Sequence, residues 1–167
     1  MIQVYTGNGK GKTTASLGLA LRAIGAGKKI YIAQFCKRGQ YNELKILKKL
    51  KGIKVEQFGS GCLIKEKPSK KDIESAQKGL EKVKKIIGKR KYDVIILDEI
   101  NMALHFKLLR LKDMIQILKS IPKNIEVILT GRYASQKIIE IADLVSEIKE
   151  IKHYYKKGVR ARKGFEF

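Results

Sequence analysis

Residues 2–14 of the chain read IQVYTGNGKGKTT, an apolar run followed by a glycine-rich turn and then Lys12 and Thr13. A strand, a glycine-rich turn and a Lys-Thr pair that opens a helix together form a phosphate-binding loop. The glycines let backbone N–H groups converge on anionic oxygens, Lys12 adds a positive charge, and the Thr13 hydroxyl is placed to ligate Mg²⁺. This stretch therefore predicts that the protein binds phosphate.

The loop departs from the usual spacing of such motifs. The pattern G-x-x-x-x-G-K-[ST] requires glycine at position 6, where this chain has Thr6, although the core of Gly11, Lys12 and Thr13 is intact. A flexible glycine turn in a lysine-rich protein is the alternative interpretation. The strand pattern before the loop and the helical pattern after it favour the phosphate-binding loop.

Segments with strand character and helix character alternate along the chain. Short apolar and β-branched runs predict strands at residues 2–5, 29–35, 53–58, 94–97, 125–129 and 144–151. Apolar residues at helical spacing predict helices over residues 17–24, 44–50, 73–87, 108–118 and 138–142. Such alternation implies right-handed crossovers and a mostly parallel sheet with helices on both faces. We therefore expect an α/β fold like that of the P-loop NTPases, with residues 1–167 forming a single domain.

Function in such a sheet collects at the carboxyl ends of the strands. Besides the phosphate-binding loop, three segments follow predicted strands there: residues 34–39, the pair Asp98-Glu99 and residues 130–132. The chain order predicts that all four segments face one crevice.

The acidic pair follows four consecutive apolar residues, 94–97, which indicate a strand buried on both faces. An acidic residue at this place meets the Mg²⁺ of a phosphate-binding loop directly or through water. The alternative is that Asp98 and Glu99 only stabilise a helix N-terminus. Arg132 lies at a strand end behind a glycine, where its fork of donors suits a triphosphate oxygen; a solvated surface arginine is the alternative.

The composition is strongly basic, with 37 Lys+Arg against 16 Asp+Glu and a formal net charge of +21. Such a charge is typical of proteins that bind nucleic acid or an anionic membrane surface. The lysines are spread over predicted helix faces with few aromatic residues among them, which favours a solvated surface over a base-stacking platform. Nucleic acid is therefore not the expected partner, and a P-loop ATPase coupled to nucleic acid stays as the alternative function.

The cysteines, the histidines and the lengths of the apolar runs argue against several other functional classes. Cys36 and Cys62 are too few and too far apart for a zinc knuckle or a disulfide framework. Neither His105 nor His153 lies beside a marked nucleophile, so no Ser/His/Asp triad is predicted. No apolar run approaches the roughly 20 residues of a membrane span, and no leader segment is recognised. We expect a cytoplasmic protein without a membrane partner.

Segments along the whole chain resemble the P-loop type of ATP:corrinoid adenosyltransferase. In order they are TGNGKGKTTAS, QFCKRG followed by Glu43, VIILDEINMAL, ILTGRYA, ADLVSEIKEIKH and KKGVRARKGFEF. A P-loop alone is unspecific, whereas LDEINMAL, TGR and the closing KHYYKKGVRARKGFEF together are specific. The resemblance implies transfer of the 5′-deoxyadenosyl group of ATP to the cobalt of a reduced corrinoid, with release of triphosphate. It also accounts for the missing protein nucleophile, because Co(I) itself attacks the ribose C5′.

Carried over position by position, the resemblance implies roles for individual residues. The expected catalytic residues are Lys12, Glu99 and Arg132. The expected Mg²⁺ ligands are Thr13, Asp98 and Glu99. The residues expected to bind ATP are Thr6, Gly7, Asn8, Gly9, Lys10, Gly11, Lys12, Thr13, Thr14 and Arg132.

The resemblance also implies substrates and partners. ATP is the co-substrate, a reduced corrinoid is the acceptor, and Mg²⁺ is the cofactor. A flavoprotein reductase is an expected electron donor, and a homodimer is the expected assembly. The acceptor is left open between cob(I)alamin and cob(I)yrinic acid a,c-diamide.

One segment departs from the family pattern. After the third strand, members of the family show Gly-Phe-Thr-Trp, whose aromatic side chains shape the corrinoid face, whereas this chain has Gly61-Cys62-Leu63-Ile64. We predict that Ile64 and neighbouring apolar side chains replace the aromatic residues by simple packing. The lost aromatic residues also motivate a third hypothesis, a protein that holds ATP or corrinoid without turnover.

Overall fold

A computed structural model describes residues 1–39, 41–60 and 68–166, so the segment Gly61-Cys62-Leu63-Ile64 lies outside the described residues. The strands are β1 (Ile2–Thr6), β2 (Ile30–Phe35), β3 (Ile53–Phe58), β4 (Val94–Asp98), β5 (Glu126–Thr130) and β6 (Leu144–Glu147). The α-helices are α1 (Lys12–Gly25), α2 (Asn42–Leu47), α3 (Lys70–Lys89), α4 (Ile100–His105), α5 (Leu111–Lys119) and α6 (Gln136–Ile139). A 3-10 helix spans Tyr154–Lys157.

The described strands form one sheet in the order β3-β2-β4-β5-β1-β6. Every neighbouring pair in it is parallel, which confirms the predicted α/β fold. The chain runs from β1 to β2 and β3 in one direction along the sheet, and then returns through β4 and β5 to β6. Because right-handed crossovers in opposite directions place their helices on opposite faces, α1 and α2 cover one face and α3 to α6 the other.

Alternating side chains of the central strands supply both cores. On β2, Ile30 and Ile32 pack with residues of α1 and α2, whereas Tyr31 and Ala33 pack with residues of α3 to α6. All six residues of β2 and all five of β4 are buried. The apolar runs of these strands therefore mark a sheet that is covered on both faces, as predicted.

Two predicted elements differ from the structure. The helix predicted over residues 108–118 begins only at Leu111, as α5, because the preceding Arg110 has an extended backbone with φ −80° and ψ 128°. The strand predicted over residues 144–151 ends at Glu147. The backbone after it, beginning at Ile148, contacts the loop that follows β1 instead of extending the ladder.

The reversal of direction at β1 opens a crevice at the carboxyl end of the sheet. The chain leaves β1 toward one face of the sheet and leaves the adjacent β5 toward the other. Ligands of open α/β sheets bind at such a switch point. Within the described part of the chain, none of the helices has both the length and the apolar character needed to cross a bilayer.

Candidate functional site

The loop between β1 and α1 is held against the backbone that follows β6. The Gly9 N–H donates to Ile148 O at 2.7 Å, and the Ile148 N–H donates to Thr6 O at 2.8 Å. A Cβ at Gly9 would lie 2.8 Å from both Ile148 O and Lys149 O, so this close approach requires glycine. Helix α1 then begins at Lys12, and its first N–H groups have no acceptor within the helix. The loop therefore offers backbone donors to an anion.

Lys12 is turned back onto its own loop. Its side chain is buried, and Nζ donates to Gly9 O at 2.6 Å. Burial lowers the pKa of Lys12, with the charge of Arg132 acting in the same direction and that of Glu99 against it. Among the described residues, no carboxylate forms an ion pair with the Lys12 ammonium, and a phosphate oxygen would supply a negative partner.

Asp98 is the most heavily hydrogen-bonded group of the site. The residue is 1% exposed, and its Oδ1 accepts from Thr13 Oγ1 at 2.8 Å and from Thr130 Oγ1 at 2.7 Å. Its Oδ2 accepts from Lys37 Nζ at 2.8 Å and from Gln34 Nε2 at 3.3 Å. Protein donors therefore occupy two acceptor positions on each oxygen. Asp98 holds the Thr13 hydroxyl in a defined orientation.

Lys37 balances the buried charge of Asp98. Its Nζ also lies 3.3 Å from Thr13 Oγ1. Burial disfavours the charged form of Lys37, but the adjacent Asp98 carboxylate outweighs burial and raises the pKa of Lys37. A buried ion pair of this kind persists because each charge would be costly without the other.

Glu99 combines a strained backbone with a carboxyl group whose pKa is raised. Its φ of 59° lies in the left-handed region, and its N–H donates to Thr130 Oγ1 at 3.0 Å. Burial, followed by the charge of Asp98, raises the pKa of Glu99. The positive charges that act against this shift belong to Lys37, Lys12 and Arg132. Among the described residues, no donor forms a hydrogen bond with the Glu99 carboxylate.

The oxygen donors of the site fit a hard cation. Over the described ranges, no group of three or more His, Cys, Asp or Glu side chains could hold a metal by itself. Thr13 donates its hydroxyl hydrogen to Asp98, and one of its two oxygen lone pairs accepts from Lys37 Nζ at 3.3 Å, which leaves the other for a cation. The Glu99 carboxylate lies at the same cavity. Mg²⁺ in nucleotide sites takes one or two protein oxygens and completes its shell with phosphate and water. The donor set is therefore compatible with Mg²⁺.

A cavity of about 910 Å³ opens over these residues, within the size range of ligand pockets. Its polar and charged lining residues include residues 9–14, Lys37, Glu43, Glu99, Arg132 and Glu166. Its apolar and aromatic lining residues include Leu17, Tyr41, Ile46, Met102, Phe106 and Phe165. The residues of the phosphate-binding loop suit a polyphosphate, and the apolar side chains suit an apolar ligand surface.

The structure brings together most of the residues predicted for the site. Gly9, Lys10, Gly11, Lys12, Thr13, Thr14, Glu99 and Arg132 all line the cavity. Thr6, Gly7 and Asn8 are not among its lining residues, and the Thr6 hydroxyl accepts from the Ala134 N–H at 3.3 Å. Asp98 lies behind Thr13 and does not line the cavity.

Gln34, Lys37 and Thr130 lie in segments that the sequence pattern places at the crevice, but the pattern assigns no role to any of the three. All three follow or end buried strands at the crevice, and all three contact Asp98. The sequence signal for these residues was a polar side chain at the carboxyl end of a buried strand. No spacing rule indicates which of them would reach a carboxylate on another strand.

The C-terminal tail contacts the phosphate-binding loop. Lys10 Nζ donates to Tyr154 OH and to Glu166 Oε1, both at 2.8 Å. The Tyr154 hydroxyl also donates to Glu166 Oε1, and the Arg162 guanidinium lies 4.8 Å from the centroid of the Tyr154 ring. These hydrogen bonds raise the pKa of Lys10. The tail, which sequence patterns left without a site residue, therefore forms part of the cavity wall.

Comparisons with known proteins cover the full chain. The family described as ATP:corrinoid adenosyltransferase BtuR/CobO/CobP matches residues 1–167. The corrinoid adenosyltransferase of Escherichia coli (strain K12) is 34% identical over 167 residues, which cover 100% of this chain and 85% of that protein. The corrinoid adenosyltransferase of Sinorhizobium sp is 37% identical over 171 residues, covering 100% of this chain and 80% of that protein.

A solved structure shares the fold. The KaiC-like protein PH0186 from Pyrococcus horikoshii OT3 aligns with a TM-score of 0.59, covering 90% of this chain and 73% of that chain. Its sequence identity is 16%, so the likeness concerns the fold alone.

Proposed function

This chain belongs to the ATP:corrinoid adenosyltransferase family, and we propose that its cavity transfers the 5′-deoxyadenosyl group of ATP to the Co(I) of a reduced corrinoid, with release of triphosphate. The family gives ATP and a corrinoid as the substrates. The observation that carries the proposal is a single cavity lined both by residues of the phosphate-binding loop and by apolar side chains. The alternative of an ATPase coupled to nucleic acid finds no support among the relatives.

The proposed reaction needs no nucleophile from the protein. The electron pair of Co(I) attacks C5′, the C5′–O bond breaks, and triphosphate leaves with the bonding pair. The protein contributes by positioning the two substrates and by stabilising the negative charge of the leaving group. Lys12 and Arg132 line the cavity, where they would contact the triphosphate together with the backbone donors of the loop.

We propose that Thr13 and Glu99 hold Mg²⁺, which would neutralise part of the triphosphate charge. The Thr13 hydroxyl is oriented by its hydrogen bond to Asp98, and the Glu99 carboxylate has no protein donor among the described residues. Asp98 then acts from behind Thr13, as the group that fixes the hydroxyl. Removal of Mg²⁺ with a chelator is expected to abolish adenosylation and to weaken ATP binding in calorimetry.

We propose that the corrinoid ring packs against the apolar side chains that line the cavity. Tyr41, Met102 and Phe106 supply aromatic and thioether surface there. The role of Ile64 stays a prediction, because residue 64 lies outside the described residues. Cob(I)alamin and cob(I)yrinic acid a,c-diamide are the proposed acceptors, and the ratio of their kcat/KM values would identify the preferred one.

The same proposal extends to partners and assembly. Residues 1–167 would act as one domain, in a cytoplasmic protein, because the reaction consumes ATP. The edge strand β6 exposes Leu144 and Val145, which favours a homodimer contact at that edge, and sedimentation velocity would test it. A flavoprotein reductase would supply the electron, and the net charge of +21 suits an acidic partner.

An anaerobic assay tests the central proposal. Protein, ATP, Mg²⁺ and chemically reduced corrinoid are mixed, the cobalt–carbon bond is followed optically, and the phosphate product is identified by ion chromatography. Adenosylcorrinoid and triphosphate should appear in equal amounts, and Lys12→Ala should slow the reaction about 100-fold or more. Lys84→Ala, which removes an exposed lysine of α3, is the matched control and should leave the rate unchanged. Orthophosphate without alkylated corrinoid would refute the transferase.

A further inference from the structure

The ammonium group of Lys37 contacts the hydroxyl oxygen of Thr13. Its Nζ is 2.8 Å from Asp98 Oδ2 and 3.3 Å from Thr13 Oγ1. The Lys37 side chain is 15% exposed and the Asp98 side chain 1%, so solvent screens this ion pair only weakly. A positive charge supplied by the chain itself therefore faces the hydroxyl oxygen that we assign to Mg²⁺.

We infer that Lys37 is an internal counter-ion that keeps free divalent metal out of the site, so that the metal enters only together with ATP. The inference rests on the proposed function, because it takes Thr13 and Glu99 as the metal ligands. It adds a role for Lys37 and an order of binding.

The position of Lys37 explains why the empty site would reject a free cation. Three cations, Lys12, Lys37 and Arg132, and one further carboxylate, Asp98, act on Glu99. Glu43 also lines the cavity and acts on Lys37, so three carboxylates already match the three cations before nucleotide binds. A divalent cation beside Thr13 would meet repulsion from the Lys37 ammonium at short range in a partly buried site. The ATP phosphates would add the negative charge that a divalent cation needs there.

Lys37 also has a place to move to. Its side chain lines the cavity, and its Nζ lies 5.4 Å from the centroid of the Tyr41 ring on the cavity side. A lysine has a flexible four-carbon stem, so its ammonium can turn from Asp98 toward a phosphate oxygen by rotation of the side chain. Asp98 would keep its hydrogen bonds from Thr13, Thr130 and Gln34 after that turn. The site could therefore exchange the Lys37 ammonium for a metal ion while Asp98 keeps its other hydrogen-bond donors.

Water-proton relaxation with Mn²⁺ as the probe tests the inference without corrinoid and without turnover. Protein-bound Mn²⁺ enhances the relaxation of water protons, whereas free Mn²⁺ and Mn²⁺·ATP do so far less. The unaltered protein should show enhancement with Mn²⁺ and ATP together and none with Mn²⁺ alone. Lys37→Met keeps the length of the stem and removes the charge, and it should bind Mn²⁺ alone about tenfold tighter or more.

Two further variants separate the position of the charge from its mere presence. Lys37→Arg keeps a cation beside Asp98 and should still exclude Mn²⁺ alone. Lys84→Met removes one positive charge from the exposed face of α3 and should behave as the unaltered protein does. Circular dichroism and thermal unfolding would show whether each variant is folded.

The outcomes are distinguishable. Equal binding of Mn²⁺ alone by the unaltered protein and by Lys37→Met would overturn the role of Lys37 and leave the proposed metal site standing. No enhancement by Mn²⁺ with ATP in the unaltered protein would overturn the metal site and, with it, this inference. If Lys37→Met does not fold, saturable binding of Mn²⁺ alone by the unaltered protein is sufficient to overturn the inference.

Discussion

Replacement of Thr130 by valine should destabilise the protein and disturb the acidic pair. The Thr130 hydroxyl is fully buried, donates to Asp98 Oδ1 at 2.7 Å and accepts from the Glu99 N–H at 3.0 Å. Valine has the same shape but removes both hydrogen bonds. It leaves a carboxylate with one donor fewer and a backbone N–H unpaired, and we expect a loss of about 2–4 kcal/mol of unfolding free energy. For a chain of this size, that loss lowers Tm by roughly 5–15 °C.

Thr130→Ser is the matched control for this prediction. Serine keeps the hydroxyl and loses one methyl group, which costs about 1 kcal/mol. Thermal unfolding without ligand would compare the two variants. Equal Tm values for the valine and serine variants would refute the assignment of both hydrogen bonds to the Thr130 hydroxyl.

The same pair of variants has a functional readout. The Thr130 hydroxyl holds the Glu99 N–H, and Glu99 is held at a φ of 59°. Loss of that hold should shift the Glu99 carboxylate, so kcat/KM for ATP should fall about 10- to 100-fold in Thr130→Val and stay near the parent value in Thr130→Ser. A valine variant that is destabilised but fully active at low temperature would show that Thr130 serves folding alone.

Three other perturbations have expected outcomes. In α3, a Cβ added at Gly79 would lie 2.6 Å from a ring carbon of Phe58 in β3, whereas a Cβ added at Gly88 would have nothing within 4 Å. In urea unfolding, Gly79→Ala should lower the free energy of unfolding by about 1–3 kcal/mol. Gly88→Ala should raise it by up to about 1 kcal/mol. Burial and the charge of Asp98 raise the pKa of Glu99 above its unfolded value, so the stability that this group contributes is present at low pH and is lost as pH rises through the raised pKa. Glu99→Gln should therefore unfold at a higher temperature than the parent at pH 7, with a difference that shrinks toward about pH 4, and an equal difference at both pH values would contradict this. Glu166→Gln should loosen the C-terminal tail from the loop, so limited trypsin digestion should cut the tail faster than in the parent, and an unchanged rate would show that Glu166 does not anchor it.

Much of the fold could be predicted because its causes are local. The apolar runs at 94–97 and 125–129 mark buried strands by composition alone, and the structure places β4 and β5 there. The errors arose where a single backbone conformation decides an outcome. The extended backbone of Arg110 makes α5 begin at Leu111 and not at residue 108, and arginine carries no signal for that conformation. The end of β6 likewise depends on a contact between Ile148 and the loop, not on β-propensity.

The sequence by itself determined the phosphate-binding loop, the alternation of strands and helices, the acidic pair and the family. Each of these is recognised from short stretches of consecutive residues. Only the tertiary structure decided which side chains surround Asp98 and which cover the loop. Lys37 lies 61 positions before Asp98 and Thr130 lies 32 positions after it, while Lys10 and Glu166 are separated by 156 positions. Contacts over such separations depend on which strands become neighbours in the sheet and on where the chain reverses direction, and no local pattern encodes either.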